Sequence, residues 1–159
     1  MSSDKQQWLI FELTSDFRAA VKLDQVVEIV PALTLSPLPN SGKYIDGLAD
    51  IRGSVIPVLN MRAVFELEDH PMVHSDHLII VRTSHDQLCI LRADRTIELA
   101  QLESGTGSGS SNSLITVPFI DDVIKHNGHL IMLHNPESLK TLLSGKSVPM
   151  ETFAAAGRA

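Results

Sequence analysis

The sequence predicts a mainly β protein built as two similar lobes within one domain, and three observations lead there. The stretch YIDGLADIRGSVIPVLNMR, from Tyr44 to Arg62, sets apolar runs on both sides of Arg52-Gly53, the pattern of a β-hairpin with a tight turn. FIDDVIKHNGHLIMLHNP, from Phe119 to Pro136, repeats it at a constant offset that places Ile45 on Ile120, Asp46 on Asp121, Gly53 on Gly128, Ile56 on Ile131 and Asn60 on Asn135. A further match precedes these in the same order. The chain from Trp8 follows that from His77, with Leu9 on Leu78, Ile10 on Ile79, Thr14 on Thr83 and Ser15 on Ser84. After one extra residue, Asp24 falls on Asp94 and Glu28 on Glu98. Two matches in one order describe a duplicated plan.

Taken in order, residues 1–7 are polar and read as a flexible N-terminal segment with no secretory leader. Trp8 to Leu13 alternates as a half-buried strand with Leu9, Phe11 and Leu13 on one side, and Ser15-Asp16 turns the chain into Ala19 to Leu23. Asp24 is placed to cap a short turn before Glu28-Ile29-Val30, and Pro31 removes a backbone donor where that segment ends. Pro37, Pro39 and Asn40-Ser41-Gly42 mark an irregular crossing to the Tyr44 hairpin, which completes a first lobe over 8–66.

A polar connector over 67–76 leads to a second lobe over 77–135, with segments at His77 to Thr83, Leu88 to Leu91, Asp94 to Leu99 and Val123 to Leu133. Asn127-Gly128 is the strongest hairpin signal in the chain, because both residues tolerate positive φ. The Gly/Ser run at 104–113 is too poor in apolar residues to offset its ordering entropy and is expected to be a mobile loop. Asn135 as N-cap, Pro136 at the first helical position, Leu139, Leu142 and Leu143 on one face and Gly145 beyond the end specify a short helix over 136–144, followed by a tail over 148–159.

Composition narrows the function. At 159 residues and 43% hydrophobic content the chain can bury a sizeable core without a metal or disulfide. Its single cysteine, Cys89, reads as a buried thiol, and no segment nears the roughly 20 apolar residues of a membrane span, so a cytoplasmic protein is expected. A net charge of −6 with 4% aromatics speaks against nucleic-acid binding. No phosphate-binding loop, dinucleotide fingerprint, nucleophile elbow or paired-cysteine spacing occurs, so neither an enzyme nor a cofactor nor a metal is expected. His70, His74 and His77 read as a solvated loop, and His126, His129 and His134 as turn and surface residues. Asp46 and Asp121 read as local turn caps.

GLADIRGSVIPVLNMR resembles the signature of the CheW-like family, carried here by Gly47, Leu48, Ile51, Arg52, Gly53, Val55, Ile56, Pro57, Val58, Met61 and Arg62. Upstream, Val26, Glu28 and Ile29 are similar to the family's Val-x-Glu-Ile element, and LSPLPN to its proline-bearing link. Asn60, Glu66 and Asp122 depart from the pattern, standing where an aspartate and two glycines are common, and Leu88 to Asp94 lacks the usual form of that strand. The resemblance implies two five-stranded, SH3-like barrel lobes around a shared core. It further implies an adaptor that joins methyl-accepting chemoreceptor tips to the regulatory domain of a CheA-type histidine kinase, at membrane-associated receptor arrays. Val26, Glu28, Ile29, Gly47, Arg52 and Gly53 are the expected partner-binding residues. A diverged adaptor of pilus motility or surface sensing, or a β-barrel that senses a small ligand, are the alternatives.

Overall fold

The computed structural model describes residues 6–84, 86–102, 119–139 and 142. Ten strands form two five-stranded sheets. In chain order they are β1 (Gln6–Thr14), β2 (Phe17–Lys22), β3 (Val26–Pro31), β4 (Ile45–Ile51), β5 (Ser54–Asn60), β6 (His77–Arg82), β7 (Leu88–Ala93), β8 (Arg95–Leu102), β9 (Ile120–His126) and β10 (His129–His134). One sheet runs β8-β1-β2-β10-β9 and the other β3-β6-β7-β5-β4. Replacing each strand by its repeat partner converts the first order into the second, so the duplication read in the sequence is a duplication of the fold.

The lobes are not the two halves of the chain. The β1–β2 hairpin lies in the sheet with β8 to β10, and the β6–β7 hairpin lies with β3 to β5, joined through the parallel pairs β10 with β2 and β5 with β7. The contiguous lobes at 8–66 and 77–135 therefore give way to two sheets that exchange their first hairpins. A repeat identifies which strands are equivalent; either copy of the hairpin satisfies the same pairing pattern.

The repeat alignment of the first hairpins also shifts by one residue. Ile10 pairs with Ala20 and Glu98 as Ile80 pairs with Ile90 and Glu28, so Ile10 is equivalent to Ile80 rather than Ile79. No extra residue intervenes. The distinction matters because a one-residue slip moves every side chain of a strand to its other face.

That alternation sorts the core into three layers. Trp8, Ile10, Ala20, Ile131 and Leu133 fill the inside of one sheet, and Leu78, Ile80, Ile90, Ile56 and Val58 fill the inside of the other. Leu9, Phe11, Val21, Leu59, Ile79, Val81 and Leu91 make the shared core between them. β1 is thus buried on both faces from Trp8 to Leu13, not half-buried, because it is an inner strand with a core on each side. Phe11, fully buried, contributes about 1.5–3 kcal/mol by leaving water.

Smaller elements adjust the rest. A 3-10 turn, Leu23–Gln25, precedes β3 without a side-chain cap, so Asp24 does not take the capping role expected of it. A helix α1 (Met61–Val64), absent from the sequence reading, starts where the Asn60 side chain accepts from the backbone N–H groups of Arg62 and Ala63, each at 3.1 Å. Asparagine serves as well as aspartate at that cap. Glu66, at a place where glycine is common, holds φ +58. After β10, Asn135 accepts from the N–H of Glu137 and a 3-10 turn, Pro136–Leu139, buries Leu139. The first strand begins at Gln6, so 6–7 are ordered strand rather than leading tail. The Gly/Ser run at 104–113, the tail at 148–159 and most of the remaining expected helix lie outside the described residues.

Candidate functional site

Arg52 and Gly53 turn the chain between β4 and β5, with φ +50 and +91. Two successive left-handed residues match the right-handed twist of the flanking strands, and glycine takes the second position without steric strain. The Gly53 N–H donates to Asp50 Oδ1 at 2.9 Å and holds the turn closed. This turn aims the Arg52 guanidinium at β3, where it donates to the Glu28 carboxylate. The hydrogen bond, reinforced by the charge of Glu28, raises the Arg52 pKa above its already high ordinary value.

β3 and β4 are the two edges of their sheet, and no backbone ladder joins them among the described residues. The Glu28–Arg52 ion pair spans that open edge. In the other sheet Asn127 stands where Arg52 does in the first, and the neighbouring His126 Nε2, at the end of β9, lies 3.7 Å from Glu98 on edge strand β8. A row of unpaired edge groups flanked by charged and apolar side chains is a surface on which another protein can dock.

Of the expected site residues, Glu28, Ile29, Arg52 and Gly53 gather at this rim. Ile29 is 40% exposed and faces solvent, whereas Val26 is half-buried against the shared core. Gly47 sits elsewhere, at a bulge in β4 opposite Val58. Ser36 crosses it and exchanges backbone hydrogen bonds with Leu48 at 2.9 and 2.8 Å. A Cβ on Gly47 would lie 2.7 Å from the Ser36 carbonyl oxygen. Gly47 shapes the proline-bearing link; it does not belong to the rim.

A polar network fastens the connector to the sheet. Arg92 on β7 donates to Asp46 at 2.8 Å and to the His70 carbonyl at 2.5 Å, with Asp76 at 3.5 Å and Asp69 at 3.6 Å. Arg62 grips both Asp94 oxygens at 3.0 and 2.9 Å and the Glu68 carbonyl at 2.7 Å. Asp46 is thus the partner of a buried arginine, not a local cap. Its repeat equivalent Asp121 has its pKa raised by burial, with the Lys22 charge and a bond from Asn135 opposing the shift. His70 Nδ1 bonds the Pro71 carbonyl, and Thr96 donates its N–H to His77 Nδ1, so both imidazoles serve local structure.

A cleft of about 520 Å³ opens beside this network, lined by Leu35, Asp46, Asp69, His70, Pro71, Met72 and Arg92. Its deepest charges, Asp46 and Arg92, already satisfy each other. His134, expected at the surface, is buried: Nδ1 bonds the Phe119 carbonyl at 2.7 Å, and the ring meets Phe65 edge-on at 5.6 Å. Sequence reasoning also missed the second rim, although Glu98 as the counterpart of Glu28 was its available signal.

With this geometry established, the comparisons with known proteins decide the family. The CheW-like domain family matches residues 7–142. The chain belongs to the CheW-like family. A relative, the chemotaxis protein CheW of Helicobacter pylori, is 24% identical over 91 residues, which are 57% of this chain and 54% of that protein. The matched region thus spans about half the length of that CheW protein. In fold, the chain is similar to the crystal structure of the scaffolding protein TtCheW from Thermoanaerobacter tengcongensis, with a TM-score of 0.71 over 82% of this chain and 89% of that one, at 19% identity. Two five-stranded sheets of SH3-like plan are common to a CheW-like domain and to this chain. Among the described residues of this CheW-like chain, no helix is long and apolar enough to cross a membrane.

Proposed function

We propose that this chain is a non-enzymatic cytoplasmic adaptor that couples methyl-accepting chemoreceptors to a CheA-type histidine kinase. The observation that carries the proposal is the Glu28–Arg52 rim, an exposed ion pair across an open sheet edge, with Ile29 next to Glu28 along β3 and Val55 two residues past Gly53 also exposed. Family membership, the chemotaxis protein CheW among its relatives and the scaffolding protein among its structural neighbours support the reading.

The kinase regulatory domain docks on the rim through Glu28, Ile29 and Arg52, while Gly53 sets the turn. Val26 and Gly47 support that surface from behind, through the core and the link. Because the sheets share one core, a receptor bound to one part of the body and a kinase bound to another are held in fixed relation. A receptor state with different affinity for two arrangements of the complex then shifts the kinase between its own two states.

The test is reconstitution of receptor-containing membranes and kinase with increasing amounts of this chain. Kinase autophosphorylation is expected to become receptor-dependent as the chain is added, and Arg52→Ala to demand a higher concentration for the same effect. Kinase activity indifferent to the chain at every concentration contradicts the proposal.

A further inference from the structure

The turn that carries Arg52 holds its arginine against a steric preference. Arg52 takes φ +50, a left-handed conformation that few residues other than glycine, asparagine and aspartate adopt readily, and Gly53 follows at φ +91. The repeat supplies a comparison. At the equivalent turn of the other sheet Asn127 and Gly128 take φ +51 and +81, so the two turns share one backbone shape. Asparagine reaches that shape without help, whereas arginine is strained in it.

The turns differ again two residues upstream, where Asp50 corresponds to Lys125. Asp50 Oδ1 accepts from the Gly53 N–H at 2.9 Å. A lysine ammonium has no acceptor and cannot make that bond. The N–H belongs to the peptide that joins Arg52 to Gly53, so the bond fixes that peptide plane, and with it the ψ of Arg52 and the φ of Gly53. The guanidinium itself pairs with Glu28. Asp50 therefore acts on the backbone of the turn and not on the charge of the arginine.

We infer that Asp50 is a positioning residue for Arg52, holding the left-handed turn from which the guanidinium reaches Glu28. The acceptor stands beside the turn whose first residue is strained and is replaced by lysine beside the turn whose first residue is not. This gives a role to a residue outside the expected partner-binding set. The consequence for partner binding rests on the adaptor reading; the positioning itself does not.

NMR of the full chain, labelled with 15N and at neutral pH, tests the positioning without a partner. The Arg52 Nε–Hε signal of the wild type is expected to differ from that of Glu28→Ala, which has no ion pair. Asp50→Ala is expected to move the signal to the Glu28→Ala position while its urea midpoint stays near that of the wild type. Asp50→Asn, whose amide oxygen still accepts from Gly53, is expected to leave the signal in place. Binding to the kinase regulatory domain reads the consequence. Asp50→Ala is expected to weaken it about two- to tenfold, the worth of one hydrogen bond, Asp50→Asn to preserve it, and Asp50→Ala to add nothing once Arg52 is alanine. An Arg52 signal indifferent to Glu28→Ala or to Asp50→Ala overturns the proposal, as does an Asp50→Asn chain that behaves like Asp50→Ala. Further weakening by Asp50→Ala in the Arg52→Ala chain also overturns it, by making Asp50 a contact in its own right. A wild type that binds no kinase domain contradicts the adaptor reading alone, and the Arg52 signal still decides the positioning.

Discussion

Glu28 and Arg52, 24 residues apart in the chain, form an ion pair that bridges the two unpaired edges of one sheet. Both side chains reach solvent, and an exposed pair of this kind adds little to folding. Its placement is informative for another reason. It fixes the guanidinium on a rim whose backbone is open and whose neighbours Ile29 and Val55 are apolar, a combination suited to recognition rather than to holding the fold.

The two signature glycines should respond differently to substitution. Gly47→Ala drives a Cβ to 2.7 Å from the Ser36 carbonyl oxygen at φ +153, whereas Gly53→Ala at φ +91 meets no atom within 4 Å. Overpacking against a backbone costs about 1–3 kcal/mol, and left-handed strain alone costs about 1–2 kcal/mol. Urea unfolding is expected to show Gly47→Ala as the more destabilised, with Gly53→Ala affecting the rim's shape more than the fold.

Arg92 is the cation among Asp46, Asp69 and Asp76, and its side chain is only 5% exposed. Arg92→Leu leaves those carboxylates without their partner. Breaking one side of a buried pair costs about 3–5 kcal/mol. Thermal and chemical unfolding should register a loss of that order. Restoration by Asp46→Asn in the same chain is expected to be partial, because Asp76 and Asp69 have still lost the cation they share.

Acid stability should follow His134. Burial lowers its pKa from 6.5 to about 4, against a bond to the Phe119 carbonyl that works to raise it. Between those values the unfolded chain binds a proton that the folded chain does not, so stability falls as pH drops from about 6.5 to about 4 and levels below. The contribution is about 3 kcal/mol across that window. His134→Phe is expected to flatten the pH dependence of unfolding in this range.

Cys89 should be silent in the native state. Burial, with a smaller effect of Glu137, pushes its thiol pKa up to about 12. Thiol reagents react through the thiolate. Labelling at neutral pH is therefore expected to proceed at the rate at which the β6–β7 region opens and to accelerate with denaturant.

Much of this architecture was legible in the sequence. The hairpin at Arg52-Gly53, its counterpart at Asn127-Gly128 and the order of the strands follow from turn chemistry and alternation, both local properties. What stayed hidden is non-local. Which first hairpin joins which sheet depends on the parallel pairs β2 with β10 and β5 with β7, and strand patterns do not encode a choice between two equivalent copies. The one-residue slip between Ile79 and Ile80 had the same origin, because strands buried on both faces carry no alternation to fix their register. His134 reads in the sequence as a turn or surface residue, and arginine, the type of Arg92, is a mostly exposed residue in general. Their burial comes from Phe65 and Phe119 in one case and from three aspartates in the other, partners distant in sequence. Of the expected rim residues, Glu28, Ile29, Arg52 and Gly53 converge and Gly47 does not, since a glycine's fit to a signature does not distinguish close packing from contact with a partner.

The most direct measurement is the binding isotherm of this chain with the regulatory domain of each CheA-type kinase encoded in the same genome, at physiological salt, for the wild type and for Arg52→Ala. The account predicts saturable binding to one kinase, weakened about tenfold or more in a variant that remains folded. Wild-type chain that binds none of these domains, or Arg52→Ala that binds as tightly as wild type, would contradict it.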